Sequence, residues 1–220
     1  MNDDKAISKL ILASGSPRRV ELLAQIGITP YLIRPVDLDE SPKKLEIPRK
    51  LSKRLAKEKA LACLDILPRD LAIDVNDKQF TYSILASDTV VGVGRRILNK
   101  PENIEQARNH LIMLSGRSHR VFTSVSIVDG HSQKHRQKTA ETRVRFKRLS
   151  KQEIETYLAT GEWRDKAGSY AIQGFAGAFV VNIIGQYSNV VGLPLFETTS
   201  LLRGAGIDPV AHWPRRIGQT

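Results

Sequence analysis

Asp88 raises the first chemical question. It stands in Ser87-Asp88-Thr89, after Ile84-Leu85-Ala86 and before Val90-Val91, inside the most strongly β-forming run of the chain. A carboxylate in such a run needs a partner, because desolvating a lone charge is costly. An acid so placed can hold a divalent cation or take a proton from water, and a strand-end turn would show the same residue. The loop "DLDE" contains Asp37, Asp39 and Glu40, a source of a second carboxylate. Lys59 continues the Leu51–Leu55 row of a helical pattern, and Lys100 sits in "NKP" just before another helical pattern opens. Either ammonium can reach a phosphate or extend into water.

A second group of residues sits at the front of the chain. In "LILASGSPRR" a short apolar run breaks into Ser14-Gly15-Ser16-Pro17 and then into Arg18 and Arg19. A strand that ends in small residues and opens a helix gathers several backbone N–H groups at one point, and the helix dipole reinforces them. Cations in the first helical turn oppose that dipole unless an anion compensates. The segment therefore reads as a phosphate-holding turn, with an ordinary capped helix as the plainer alternative. Further along, "DKAGSYAIQGFAG" offers Gly168, Gly174 and Gly177, which let backbone approach a ligand closely, and Gln173, which has the donors and acceptor to read a base edge. A flexible turn between strands would also look like this.

Other motifs carry less. "GVG" at 92–94 lacks a third glycine and a following helix, so it reads as a hairpin. No Walker loop is present, the five histidines show no metal-ligand spacing, and Ser14 and Ser16 lie outside any nucleophile-elbow context.

These residues need elements to position them. Residues 9–13 read as a first buried strand, with Ser16 as cap and Pro17 as first residue of a helix ended by Gly27. "TPYLIRPVDLDE" reads as a strand running into an acidic loop, Pro48 to about Asp65 as a helix, and "TYSILASDTVVGVG" as a strand. Pro101 is expected to open a helix that Gly116 closes. "SHRVFTSVSIVDG" and "TAETRVRFKRL" form a hairpin about Asp129-Gly130, and Ser150 with Glu153 makes a capping box. A glycine-rich loop, a strand from Ala178 to Ile184 and the helix "PLFETTSLLRGAG" complete the chain. Helices interleave with strands, yet one strand pair is a hairpin, which points to a mixed sheet flanked by helices. No linker separates two independent domains, and 69–82 reads as a loop-like insertion.

With 220 residues, 41% of them hydrophobic and 26% charged, the chain can bury a substantial core. No secretory signal or run approaching the about 20 apolar residues of a membrane span is read. The single cysteine, Cys63, excludes an internal disulfide and fits a reducing cytoplasm. The net charge of +11 is concentrated in "KKLEIPRKLSKRLAKEK" and "KHRQKTAETRVRFKRLSK". Solvated faces explain such runs, as does attraction to nucleic acid or to a highly charged small substrate. Stacking aromatics are sparse in them, with Phe146 alone, which argues against a nucleic-acid-binding module.

The order of the motifs is more specific than any one of them. "LILASGSPRRVELL", "DLDE", "RLAKEKA", "SDTVV", "NKP", "MLSGRSHRVFTSV", "DKAGSYAIQG" and "NVVGLPL" together resemble the Maf family of nucleoside triphosphate pyrophosphatases, over roughly Lys9 to Leu202. The resemblance implies an α/β fold: a mixed, largely antiparallel twisted sheet with flanking helices, forming one domain over 1–220 with two lobes around a central cleft, similar to the inosine triphosphate pyrophosphatases. It implies cleavage of a nucleoside triphosphate to the monophosphate and pyrophosphate with a divalent cation, Mg²⁺ or Mn²⁺. Asp88 would then activate water. Arg18, Thr89 and Gln173 would select the base, while Glu40, Lys59 and Lys100 would contact metal or phosphate, with Ser14, Ser16 and Arg19 alongside. Arginine in "SPRR", threonine in "DT" and glutamine in "IQG" resemble the dTTP/UTP branch rather than the branch acting on 7-methyl-GTP. Ser87 and "GSYAIQG" depart from the usual "ADT" and "GAYGIQG", which bears on the breadth of substrate choice. A homodimer is implied by resemblance alone. A broad-specificity pyrophosphatase, a basic nucleic-acid binder and a non-catalytic septum-related regulator are the competing readings.

Overall fold

The structure, a computed structural model, describes residues 9–70 and 81–213. The elements in chain order are β1 (Lys9–Leu12), α1 (Pro17–Gln25), β2 (Leu32–Ile33), α2 (Pro48–Asp70), β3 (Tyr82–Val93), β4 (Arg96–Leu98), α3 (Ile104–Leu114), β5 (Ser118–Asp129), β6 (His135–Phe146), α4 (Lys151–Ala159), β7 (Val180–Ile184), α5 (Tyr187–Val191) and α6 (Leu195–Gly204). The strands form one seven-stranded sheet ordered β2-β1-β3-β5-β6-β7, with β4 attached to β3. β1 is parallel to β2 and β3, and every other pairing is antiparallel. The sheet is thus mixed and largely antiparallel, as expected.

Strand alternation decides what each face of β3 meets. Ile84 and Ala86 pack with Ala60, Cys63, Leu64 and Leu67 of α2. Leu85, one residue out of phase, packs with Leu22 and Leu23 of α1 and Leu201 and Leu202 of α6. At the far end of the same strand Val91 joins Leu111 of α3, Tyr157 of α4 and Phe179 in another apolar cluster. The long strands therefore run between cores gathered at their two ends.

The register explains where the sheet opens. β5 occupies one edge of β3 from Ser83 to Gly92. β1 takes the other edge at Tyr82–Leu85, and β4 takes that edge again at Val91–Val93. Between them, Ala86–Val90 has no strand on that side among the described residues. The gap contains Asp88.

Several boundaries differ from the sequence reading. Ser16 is the N-cap of α1, but its side chain makes no cap hydrogen bond; the turn relies on Pro17 and on the Arg19 N–H donating to the Ser16 carbonyl at 3.1 Å. α2 continues past Asp65, because Leu64 and Leu67 extend its buried row. α3 starts at Ile104 rather than Pro101, since the Asn103 side chain accepts from the Gln106 N–H at 2.9 Å and makes the better cap. β7 begins at Val180, the preceding Phe175–Phe179 being a 3-10 turn. β2 is only two residues long. The capping box of Ser150 and Glu153 and the hairpin β5–β6 form as read. Of the 69–82 insertion, the helix end and Tyr82 are described, and 71–80 lies outside the described residues.

Candidate active site

A cavity of about 1070 Å³ lies at the gap in the sheet edge. Asp88 and Thr89 enter it from β3, and Lys59 enters from α2. Ser14, Ser16, Arg18 and Arg19 come from the turn that carries β1 into α1. Glu40 and Lys100 come from the loops after β2 and β4, and Gln173 from the loop after α4. The candidate residues Asp88, Thr89, Glu40, Lys59, Lys100, Ser14, Ser16, Arg18, Arg19 and Gln173 thus line one cavity, with Gly174 beside them, whereas Asp37, Asp39, Gly168 and Gly177 are not among its lining residues.

Its charged centre is a chain of ion pairs. Lys59 Nζ lies 2.6 Å from Asp88 Oδ1 and 2.6 Å from Glu40 Oε1, and Lys100 Nζ lies 2.8 Å from Glu40 Oε2. Lys59 and Asp88 are buried, whereas Lys100 is exposed. Burial raises the Glu40 carboxyl, but Lys59 and Lys100 outweigh it and bring it down to about 2. Glu40 is therefore an anion at any physiological pH.

The arginines are held differently. Arg19 donates through Nη1 to Ser14 Oγ at 2.7 Å and through Nε to the Gly192 carbonyl at 3.0 Å. Burial pushes its guanidinium down; Asp88 and Glu40 oppose that effect and Arg18 adds to it. Arg18 is also pushed down by burial, against the pull of Asp165 and Glu21, and its Nε is buried without a hydrogen-bond partner. Arg18 lines the cavity and its guanidinium only donates, so it can serve an acceptor held there. Ser14 completes the picture. Its oxygen accepts from Arg19 and from the Ser16 N–H at 3.3 Å, which leaves its own proton to donate. The turn is built of donors, as an anion site requires.

Alternation along β3 puts Thr89 on the face opposite Asp88. Its hydroxyl meets that of Thr123 at 3.0 Å. Gln173 is exposed at the end of a loop in which Asp165, Gly168 and Ser169 take positive φ. Residues missed from sequence lie behind this wall: Thr123, Asn189, and Gly192, whose carbonyl accepts from both Arg19 and Ser87. The motif "NVVGLPL" contained Asn189 and Gly192, without showing what they touch.

Among the described residues no group of three or more His, Cys, Asp or Glu side chains could hold a metal ion by itself. Glu40 and Asp88 are nevertheless hard oxygen donors converging on one ammonium, and Mg²⁺ is commonly held by one or two carboxylates plus phosphate oxygens. No helix of the described residues is long and apolar enough to cross a membrane.

The fold and the cleft define an α/β protein whose sheet parts at one edge to form a donor-rich pocket. The chain belongs to the Maf family, whose model, described as "Maf-like protein", matches residues 9–205. It is 57% identical over 205 residues to the dTTP/UTP pyrophosphatase of Rhizobium meliloti (strain 1021), covering 93% of this chain and 96% of that protein. It is 55% identical over 207 residues to the protein of that name from Agrobacterium fabrum, covering 93% and 96%. The protein of that name from Rhodopseudomonas palustris (strain HaA2) is 54% identical over 210 residues, covering 96% and 95%. Among solved structures, the Ham1 protein of Staphylococcus aureus aligns with a TM-score of 0.34 and 13% identity, over 63% of this chain and 72% of that one.

Proposed function

We propose that this chain is a nucleoside triphosphate pyrophosphatase that cleaves dTTP and UTP between the α- and β-phosphates, giving the nucleoside monophosphate and pyrophosphate. The observation that carries the reading is the buried Asp88, paired to Lys59 at 2.6 Å and opening on a cavity rimmed by Arg18, Arg19 and Lys100. The Maf family membership and the name shared by relatives above 50% identity support it.

The chemistry asks for positioned water and for charge neutralisation rather than covalent catalysis. Asp88 orients a water molecule and accepts its proton as the oxygen attacks the α-phosphorus; the bond to the bridging oxygen breaks and pyrophosphate leaves. Lys59 and Lys100 hold the negative tail, while Ser14, Ser16 and Arg19 supply donors at the turn. Arg18, Thr89 and Gln173 face the base. Glu40 and Asp88 would hold a divalent cation, Mg²⁺ or Mn²⁺, whose chemistry there is to offset charge on the phosphate oxygens. A homodimer belongs to this reading by family resemblance, and a cytoplasmic location by the single cysteine.

The test is pyrophosphate release from dTTP, UTP, CTP, 7-methyl-GTP, dITP and ATP with Mg²⁺ or Mn²⁺, wild type beside Asp88→Asn. Cleavage of dTTP and UTP, lost in the variant, is expected. Preference for 7-methyl-GTP or dITP would overturn the base assignment, and no turnover of any nucleotide would overturn the reaction.

A further inference from the structure

The hydrogen bonds behind Thr89 have only one consistent direction. Thr123 is fully buried, and its hydroxyl donates to the Asn189 carbonyl at 2.7 Å, an acceptor with no proton to return. A hydroxyl has a single proton, so the 3.0 Å contact between Thr123 and Thr89 must run from Thr89 to Thr123. With its proton committed inward, the Thr89 oxygen has only lone pairs left for the cavity it lines.

Asn189 cannot turn away to release this arrangement. Its side-chain amide donates to the Val121 carbonyl at 3.0 Å and to Thr142 Oγ1 at 2.9 Å. The Thr142 hydroxyl in turn donates to the Gln186 carbonyl at 3.0 Å. Both residues are fully buried. The carbonyl that receives the Thr123 proton is therefore clamped on α5 by bonds to two strands.

We propose that Thr123, acting through Thr89, is a positioning residue that sets the polarity of base recognition: it makes Thr89 an acceptor, so the cleft takes a pyrimidine with an N3–H donor and rejects one whose N3 is an acceptor. This rests on the dTTP/UTP reading above and explains how that pocket tells uracil and thymine from cytosine. Arg18, whose guanidinium is a donor only, lines the same cavity and supplies the complementary donor for a base carbonyl. An imide edge presents both groups at once. Cytosine would set its N3 lone pair against that of Thr89, leaving both unpaired and desolvated.

The experiment measures kcat/KM for UTP and CTP in wild type, Thr123→Val and Thr123→Ser, with 3-methyl-UTP as a third substrate for wild type. Wild type is expected to favour UTP over CTP at least about tenfold, as one mismatched buried hydrogen bond implies. Thr123→Val frees the Thr89 hydroxyl to rotate and donate, so activity on CTP should rise in absolute terms and the ratio should fall severalfold. Thr123→Ser should keep the wild-type ratio. Loss of packing would lower both substrates together and leave the ratio alone, so an unchanged ratio in Thr123→Val overturns the proposal. Should Thr123→Val not fold, wild type that cleaves 3-methyl-UTP as well as UTP overturns it independently. Wild type inactive on UTP and dTTP would refute the functional reading instead.

Discussion

Lys59 and Asp88 form a buried ion pair with a 2.6 Å contact, and the two ends of the pair are unequally supported. Lys59 has a second carboxylate, Glu40, also at 2.6 Å, whereas Asp88 is 5% exposed with Lys59 as its ion-pair partner. Removing either partner of a buried pair strands the other, at about 3–5 kcal/mol. Asp88→Asn leaves Lys59 paired to Glu40, so the fold should survive with a small change in Tm while turnover falls by about 10² to 10⁴. Lys59→Met leaves Asp88 without its cation and should destabilise far more. Urea melts beside pyrophosphate assays separate the two variants. Equal losses of stability would refute this asymmetry.

Glu40 ties acid stability to Lys100. Its carboxyl is lowered from 4.5 to about 2, so the stability it contributes is fully present above about pH 4.5 and is lost as the pH falls through about 2. Lys100→Met removes one of the two cations that hold it down, and the Glu40 titration should move up towards 4.5. The side chains of both residues are partly exposed, so stability at neutral pH should barely change. An NMR titration of the Glu40 carboxyl reads this directly; a midpoint that stays near the wild-type value would count against the contact.

Gly168 holds the loop that carries Gln173. Its φ is +71°, and an added Cβ would come within 2.9 Å of Val91 on β3. Gly168→Ala therefore combines left-handed backbone strain with an overpacked core contact. A loss of about 1–3 kcal/mol is expected, together with a raised KM, since the loop lines the cavity. Thermal melts and Michaelis curves check both, and a variant as stable as wild type would show that the loop gives way freely.

Much of the site was legible because charge stands out against an apolar pattern. Asp88 interrupts a β-forming run, and Lys59 interrupts a helical stripe; the two interruptions turn out to face each other. The capping box of Ser150 and Glu153 was legible because it is complete within four residues. The gap in the sheet was not, because it depends on β1 and β4 choosing the same edge of β3, a matter of register between distant segments. Thr123 and Asn189 stayed hidden for a related reason. They are small polar residues 66 apart in sequence, and their significance lies in the direction of a hydrogen bond that only contact defines. Ser16 misled in the opposite way, having the right type and place for a side-chain cap that the structure does not form.

His119 predicts a further pH dependence, away from the cleft centre. It is 2% exposed, its Nε2 meets the Tyr170 hydroxyl at 2.7 Å, and its ring packs edge-on against Phe146 and Tyr170. Burial pushes it down from 6.5 to about 4. Between these values the unfolded chain binds a proton that the folded protein refuses, so stability falls as the pH drops from 6.5 to 4 and its contribution is constant above 6.5. The lowering corresponds to roughly 3 kcal/mol at most. His119→Gln should be less stable than wild type at pH 7, because it loses ring packing, but it has no proton to take up. The stability gap between the two should therefore narrow steadily in urea melts from pH 7 to pH 4. A gap of constant size across that range would show that His119 does not titrate as its burial demands.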